Sequence, residues 1–321
     1  MLRYLLETGE KKAEESKEDE LDENANNPSN DEREENEKKE KKMTGPGGRG
    51  FMSLVEERQN QSKLPIKKIL ELKVPCPEGV CLLADGSIAV ASSSQQAVLR
   101  FSKTGSDLIP LESRIGFQCP TNILQLSTGE VAVADDNGLQ LFGVDHRFLR
   151  TIGVEECDWY RGLAEDNEGR IVTINNNNPT YTLGKGTRTK RGHTDIFYFT
   201  KAGELVKTVE LADLVREEMR QKSMCLYLGY SENKLFIVDK GLSRICCIFG
   251  QDGKEEAAVF GDCGNQQDEL EDPAGIAVDE HGNSIVVDSG NNRLQLIDAD
   301  YKIHGPLKVR VKTTLSRMLI N

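Results

Sequence analysis

Histidine and cysteine are both missing from the first 63 residues of this chain. Zinc fingers draw their ligands from those two residue types, so that stretch builds none. Tryptophan occurs once, and aromatics make up only 6% of the 321 residues. Any core must therefore be assembled mainly from Val, Ile and Leu. No run of about 18 apolar residues exists, so no membrane-spanning helix is expected. The opening MLRYLLETGE does not read as a signal peptide, because its apolar run is short and Glu7 interrupts it. The eight cysteines, at 76, 81, 119, 157, 225, 246, 247 and 263, contain no Cys-x-x-Cys pair. Most fall in strand-like runs, where a free thiol acts as a small apolar filler. A reducing compartment, cytoplasmic or nuclear, is the expected home, and we take it as cytoplasmic.

Charge divides the chain in two. Residues 1–63 hold 12 Lys/Arg and 17 Asp/Glu, few β-branched residues, and a GPGGRG stretch from Gly45 to Gly50. Dense charge with little apolar surface does not offset the entropy of ordering, so 1–63 is expected to be a disordered tail or linker. The net charge of −12 argues against a general nucleic-acid binder and leaves room for a local basic face.

From Pro77 to Asp300 one pattern occurs five times. A Gly, or a residue in its place, stands at Gly79, Asn122, Gly162, Leu226 and Gly275. Seven positions on come Gly86, Gly129, Gly169, Asn233 and Gly282, and six further come Ser92, Asp135, Asn175, Asp239 and Asp288. These offsets do not vary; only the connections between copies do. Within a copy, period-two runs alternate with turns such as Glu280-His281-Gly282-Asn283. Several short strands per unit, repeated every 40–50 residues or so, predict an all-β propeller with four antiparallel strands per blade. Blades are expected to start near 76, 119, 160, 224 and 272. The outer strands carry weaker signal, at Arg147–Ile152, Glu255–Phe260 and Leu307–Lys312.

The clearest copy, DPAGIAVDEHGNSIVVDSGNNRLQLIDAD from Asp272 to Asp300, strongly resembles the NHL repeat, with Pro273, Gly275, Ile276, Asp279, Gly282, Asp288, Asn291, Arg293 and Gln295 in place. The copy around Asp239 keeps Val238 and Arg244 but has Leu226 where Gly belongs. A propeller after a polar linker is similar to the C-terminal part of the tripartite-motif ubiquitin ligases. That resemblance implies substrate recognition in a ubiquitin-ligase-type system. This chain has no RING or B-box, so it is read as a binding module rather than an enzyme. In six-bladed rings of that family an N-terminal strand completes the last blade. Here Ile66–Val74 reads as such a strand, but only five copies are present. The expectation is five complete blades plus an orphan strand, as in a truncated six-bladed ring, with a closed five-bladed ring as the alternative. An incomplete blade would also favour self-association.

Recurring polar residues read as architecture. Asp135, Asp239 and Asp288 are placed to accept backbone N–H groups, and Arg244 and Arg293 to pair with carboxylates. Propellers of related type include calcium-dependent lactonases and a zinc lyase. The four histidines, at 146, 193, 281 and 304, are not placed to converge, and Glu78 lacks matching Asn and Asp partners at the pore. No metal and no cofactor are expected, and a metal-dependent hydrolase is the third reading. Function is expected where the repeat breaks, between the third and fourth copies. There Asn175–Thr194 carries Lys185, Arg188, Lys190 and Arg191 and no acidic residue, a basic loop over 176–194. Trp159, Tyr160 and Tyr181 supply aromatics beside it. Together they suit a protein substrate or adaptor, or alternatively single-stranded RNA. A second addition, 209–223, spaces Leu211, Leu214, Val215 and Met219 as an amphipathic helix that packs on the propeller edge.

Overall fold

The computed structural model describes residues 2–5, 67–154, 159–176, 194–215, 223–250 and 254–306. Two strands come first, β1 (Leu2–Leu5) and β2 (Lys67–Glu71), paired antiparallel. Blade one is β3 (Pro77–Leu82), β4 (Ile88–Ser92), β5 (Ala97–Phe101) and β6 (Asp107–Leu111). Blade two is β7 (Asn122–Gln125), β8 (Val131–Asp135), β9 (Gly138–Phe142) and β10 (Phe148–Ile152). Blade three is β11 (Tyr160–Glu165), β12 (Ile171–Asn176), β13 (Thr194–Phe199) and β14 (Leu205–Glu210), followed by the one-turn helix α1 (Leu211–Leu214). Blade four is β15 (Cys225–Ser231), β16 (Lys234–Asp239), β17 (Arg244–Phe249) and β18 (Glu256–Phe260). A short parallel pair, β19 (Asp262–Cys263) with β20 (Glu269–Leu270), bridges to blade five. That blade is β21 (Pro273–Val278), β22 (Ser284–Asp288), β23 (Arg293–Ile297) and β24 (Ile303–Pro306). Each blade is a four-stranded antiparallel meander, and the five stand in a ring as a five-bladed propeller.

The offsets seen in the sequence each have a structural reason. The second recurring position is a left-handed turn residue between the inner two strands of each blade. Gly86, Gly129, Gly169 and Gly282 have φ of 77°, 87°, 74° and 80°, and Asn233 fills the same place at 61°. Only Gly, or Asn at modest cost, adopts that conformation readily. The first recurring position lies where the inner strand bulges: ladder register shifts between Pro77 and Gly79, Arg161 and Leu163, Cys225 and Tyr227, and Pro273 and Ile276. There the inner strands of neighbouring blades come closest, and equivalent positions meet. A Cβ on Gly79 would lie 2.7 Å from Asn122 Cα and 2.9 Å from Thr121 O. Gly79→Val is therefore expected to destabilise the chain by about 1–3 kcal/mol, because backbone rather than a pliable side chain must give way. A urea melt measures it, and no shift would show that the inner strands have room to part.

Middle strands are apolar on both faces because a blade lies on each side. β8 (VAVAD) and β9 (GLQLF) are buried along their whole length, whereas β6 exposes all but Leu111. Junctions between blades are dry cores. Ala89 and Val98 meet Val133 and Phe142 between blades one and two. Leu139 and Leu141 meet Tyr160 and Phe197 between two and three. Ile196 meets Leu228 and Ile237 between three and four, and Phe236 and Ile245 meet Ile276 and Val286 between four and five. Polar clasps reinforce the lower rim. Ala84 N–H donates to Gln125 Oε1 at 2.6 Å, Ser127 Oγ to Glu165 Oε1 at 2.8 Å, and Asn167 Nδ2 to Asn233 Oδ1 at 2.8 Å.

Three sequence expectations need correction. The strand read at Ile66–Val74 is not an orphan, since β2 pairs with Leu2–Leu5 of the charged tail; the rest of 1–63 lies outside the described residues. The last outer strand is Ile303–Pro306, not Leu307–Lys312, which lies outside the described residues. Of the helix read over 209–223, the described residues hold one turn, Leu211–Leu214, and residues 216–222 lie outside them. Val209 and Glu210 still pair with Ile196 and Asp195 in the outer strand, where β-branched residues fit best. Val215 returns to extended backbone at φ −117° and ψ 155°. Leu211 is buried, and with Leu214 and Val215 it packs on the core between blades three and four. That is the edge packing expected of the stripe; Met219 lies outside the described residues.

Candidate interaction face

The recurring acidic residues are fully consumed by architecture. Asp135, Asp239 and Asp288 are each 0% exposed. Every one grips the linker that enters its own blade. Asp135 accepts from Gln118 N–H and Cys119 N–H at 2.9 and 3.0 Å, Asp239 from Met224 N–H at 2.8 Å, and Asp288 from Glu271 N–H at 2.6 Å. The turn after each strand is held as well, through Asn137 N–H to Asp135 and Leu242 N–H to Asp239. Ser92 does the same work in reverse, donating to Pro75 O at 2.6 Å. Arg244 Nε pairs with Asp239 at 3.1 Å and Arg293 Nε with Asp288 at 2.6 Å, within one blade. Arg293 then donates to the carbonyls of Asn265, Gln266 and Glu269, while Asn291 and Gln295 bind those of Gly264 and Gln267. The Asp, Asn, Arg and Gln of the repeat thus clamp one linker together. Gly275, with φ of 145°, sits in the bulge of the same blade.

The repeat varies most on the face where the inner strands begin. The position just before the recurring Gly differs in every copy: Glu78, Thr121, Arg161, Cys225 and Ala274. In blades one to three it is polar. Arg161 Nη1 pairs with Asp136 Oδ1 at 3.1 Å and donates to Tyr160 O at 2.8 Å. Its guanidinium carbon lies 5.8 Å from the centre of the half-buried Trp159 ring, a cation–π arrangement. Ser93 Oγ donates to Glu78 Oε1 at 3.2 Å. Burial pushes the Asp136 carboxyl up, with Arg161 opposing and Asp135 adding to the rise. Burial likewise raises the Cys119 thiol, and Asp136, Glu78 and Asp135 raise it further against the pull of Arg161. Cys119 is therefore a neutral thiol in a mixed-charge setting, not an activated nucleophile.

Arg161 and Asp136 were not singled out from the sequence. The usable signal was the variation at the position before each Gly, set against the constancy around it. Of the predicted contact residues, Trp159 lies on this face. Tyr160 does not: it is 0% exposed, and its hydroxyl donates to Gly153 O at 2.6 Å inside the core between blades two and three. The inner strand turns this ring inward, where it meets Phe197 and Phe199 edge-on. Tyr181, Lys185, Arg188, Lys190 and Arg191 lie outside the described residues. The ends of their insertion are placed, however. The chain leaves at Asn176 and re-enters at Thr194, which pair across β12 and β13, and Tyr160 pairs with the neighbouring Asn175. The insertion thus starts and ends on the side that carries Trp159.

The other candidate chemistry does not assemble among the described residues. His146 lies in the outer hairpin of blade two, His281 in a turn of blade five and His304 on β24, beside Asp298 at 2.6 Å. No group of three or more His, Cys, Asp or Glu side chains among the described residues is arranged to hold a metal ion. Cys76, Cys81, Cys119, Cys225, Cys246, Cys247 and Cys263 are free thiols. Burial pushes Cys81 up to about 11 and Cys246 up to about 12, as suits apolar filler. No helix among the described residues is long and apolar enough to cross a membrane.

No family model matches the sequence, and no curated protein is similar enough in sequence to count as a relative. Solved structures are similar in fold. One is a nidogen/laminin complex, with a TM-score of 0.55 and 16% identity over 74% of this chain and 82% of that one. A second is a gluconolactonase from Xanthomonas campestris, at 0.56 and 13% over 74% and 77%. A third is virginiamycin B lyase from Staphylococcus aureus, at 0.51 and 14% over 73% and 70%. At such identities the likeness establishes a β-propeller, shared by proteins that bind other proteins and by enzymes, and goes no further.

Proposed function

We propose that this chain is a protein-recognition propeller whose binding face is the one bearing Trp159 and Arg161. The observation that carries the reading is their stacked, Asp136-anchored pair beside the two ends of the basic insertion. Tryptophan and arginine are the residue types most often found at the energetic centre of protein interfaces. Loops on a rigid scaffold are where propellers vary, and here the repeat's own charges are spent on holding the scaffold. The nidogen/laminin complex is a propeller neighbour that engages a protein. The resemblance of the repeat to that of the tripartite-motif ligases gives the partner a role. It is a protein delivered for ubiquitination, with this chain supplying recognition and no catalysis.

The alternative, single-stranded RNA, rests on the run of Lys185, Arg188, Lys190 and Arg191 without an intervening acid. One experiment separates the two. Crosslinked complexes of the parent chain and of a variant with those four residues changed to Glu are recovered and sorted into protein and RNA. The expected result is protein partners from the parent, reduced about tenfold or more in the variant, since several favourable charges become repulsive. The melting temperature is expected to stay unchanged. RNA as the main species would favour the alternative, and identical recovery from both chains would remove the insertion from the site.

A further inference from the structure

The two additions to the repeat, read over 176–194 and 209–223, rejoin the propeller at one point. Thr194 begins β13 in blade three and is buried. Ser223 stands two residues before Cys225, the first residue of β15 in blade four. Cys225 is 0% exposed, in the core between the two blades. Ile196, which shares a face of β13 with Thr194, belongs to the same core. The Cys225 sulfur lies 3.4 Å from Ser223 Oγ, and the Thr194 hydroxyl is hydrogen-bonded to the same sulfur. Ser223 Oγ in turn donates to Asp239 Oδ2 at 2.9 Å. At the equivalent place in blades one to three stand the polar Glu78, Thr121 and Arg161; in blade four it is this buried thiol.

Proton counting gives these bonds a direction. A serine hydroxyl holds one proton, and Ser223 gives it to the Asp239 carboxylate, which has none to give. The Cys225 S–H is therefore the donor to Ser223 Oγ, and the sulfur accepts from the Thr194 O–H. Burial, with Asp239 and Cys246 adding to it, pushes the Cys225 thiol well above its ordinary value, so the proton stays on sulfur. The chain of bonds runs from Thr194 through Cys225 and Ser223 to Asp239. It crosses from blade three to blade four and ends on the carboxylate that holds Arg244 and the Met224 N–H. We infer that Cys225 is a positioning residue rather than filler: it locks the rejoining ends of both additions into one unit with the Asp239 clamp. Bonds in such a chain polarise one another, so losing one member weakens the others. Coupling between Thr194 and Ser223 is therefore reciprocal. The lock lies on the side of the ring that carries Trp159, and it is independent of what that face binds.

Hydrogen exchange on the full chain, followed by mass spectrometry, tests the lock. Ser223→Ala is expected to speed exchange of the Thr194, Asp195 and Ile196 amides about tenfold, although they lie on another blade. Thr194→Val is expected to speed the Met224 and Cys225 amides by a similar factor. Amides of Ile88–Ser92 in blade one are the reference and stay as in the parent. Cys225→Ser keeps a donor and an acceptor and preserves both cross-effects. Cys225→Val fills the site without a hydrogen bond and abolishes them, so adding Ser223→Ala to it leaves Thr194, Asp195 and Ile196 where Cys225→Val alone put them. Exchange changed only beside the substituted residue, cross-effects lost in Cys225→Ser, or cross-effects that persist in Cys225→Val would overturn the assignment. Equal acceleration at Ile88–Ser92 would do so too, by reporting a general loss of stability. The two single variants and Cys225→Ser decide the matter even if Cys225→Val does not fold.

Discussion

Asp239→Ala is expected to lower the stability of this chain by about 3–5 kcal/mol, the cost of removing one partner from a buried ion pair. Asp239 is fully buried, and Arg244, its partner at 3.1 Å, is 3% exposed. Removing the carboxylate leaves a guanidinium in the interior without it. Acceptors are also withdrawn from Met224 N–H, Ser223 Oγ and Leu242 N–H, which hold the entry to blade four. Set against a total of about 5–15 kcal/mol for a typical domain, this is a large share. Asp135→Ala makes the internal comparison. Its side-chain partner is the neutral Gln140, at 3.3 Å, so about 1–3 kcal/mol is expected. Urea melts of the two variants decide the matter. Adding Arg244→Met to Asp239→Ala should recover part of the loss, because the buried charge goes with its partner. Equal, small losses at both sites would show that the ion pair is not what distinguishes blade four from blade two.

The second large effect separates two adjacent aromatic residues. Tyr160→Ala is expected to destabilise by about 3–5 kcal/mol, as for other large-to-small changes in a close-packed core. The ring fills the junction of blades two and three, and its hydroxyl satisfies Gly153 O. Gly153 itself has no room for a side chain, since a Cβ there would sit 2.5 Å from the hydroxyl oxygen. Tyr160→Phe keeps the ring and loses the hydrogen bond, for about 1 kcal/mol. Trp159→Ala is expected to shift stability by less than about 1 kcal/mol while weakening partner binding, as truncation of an interface anchor does. Thermal melts of the three variants, with binding measured on Trp159→Ala, check the assignment. A Trp159→Ala chain that melts like Tyr160→Ala would move Trp159 from the face into the framework.

Much of this fold was legible because a repeat states its rules five times. The left-handed turn at Gly86, Gly129, Gly169, Asn233 and Gly282 admits few residue types, so it surfaces as a fixed spacing. Middle strands read as apolar runs because blades cover both faces. Asp239 and Asp288 were legible as architecture because they recur. Local patterns failed where tertiary packing overrides them. The stripe of Leu211, Leu214 and Val215 has helical spacing, yet the strand before it takes Val209 and Glu210 and the backbone extends again at Val215. Tyr160 and Trp159 are neighbours of similar chemistry, and only the direction of the inner strand sends one into the core and the other to the face. Arg161 and Asp136 lie far apart in sequence and meet because blades two and three stand side by side.

The number of blades, their inner strands and the residues that lock each linker are written in the chain itself, since they depend on local turn geometry and on a pattern repeated in register. Which side chains share a face, and which meet across a blade junction, came only with the folded arrangement. Those depend on how whole sheets pack around an axis, and no single repeat carries that information.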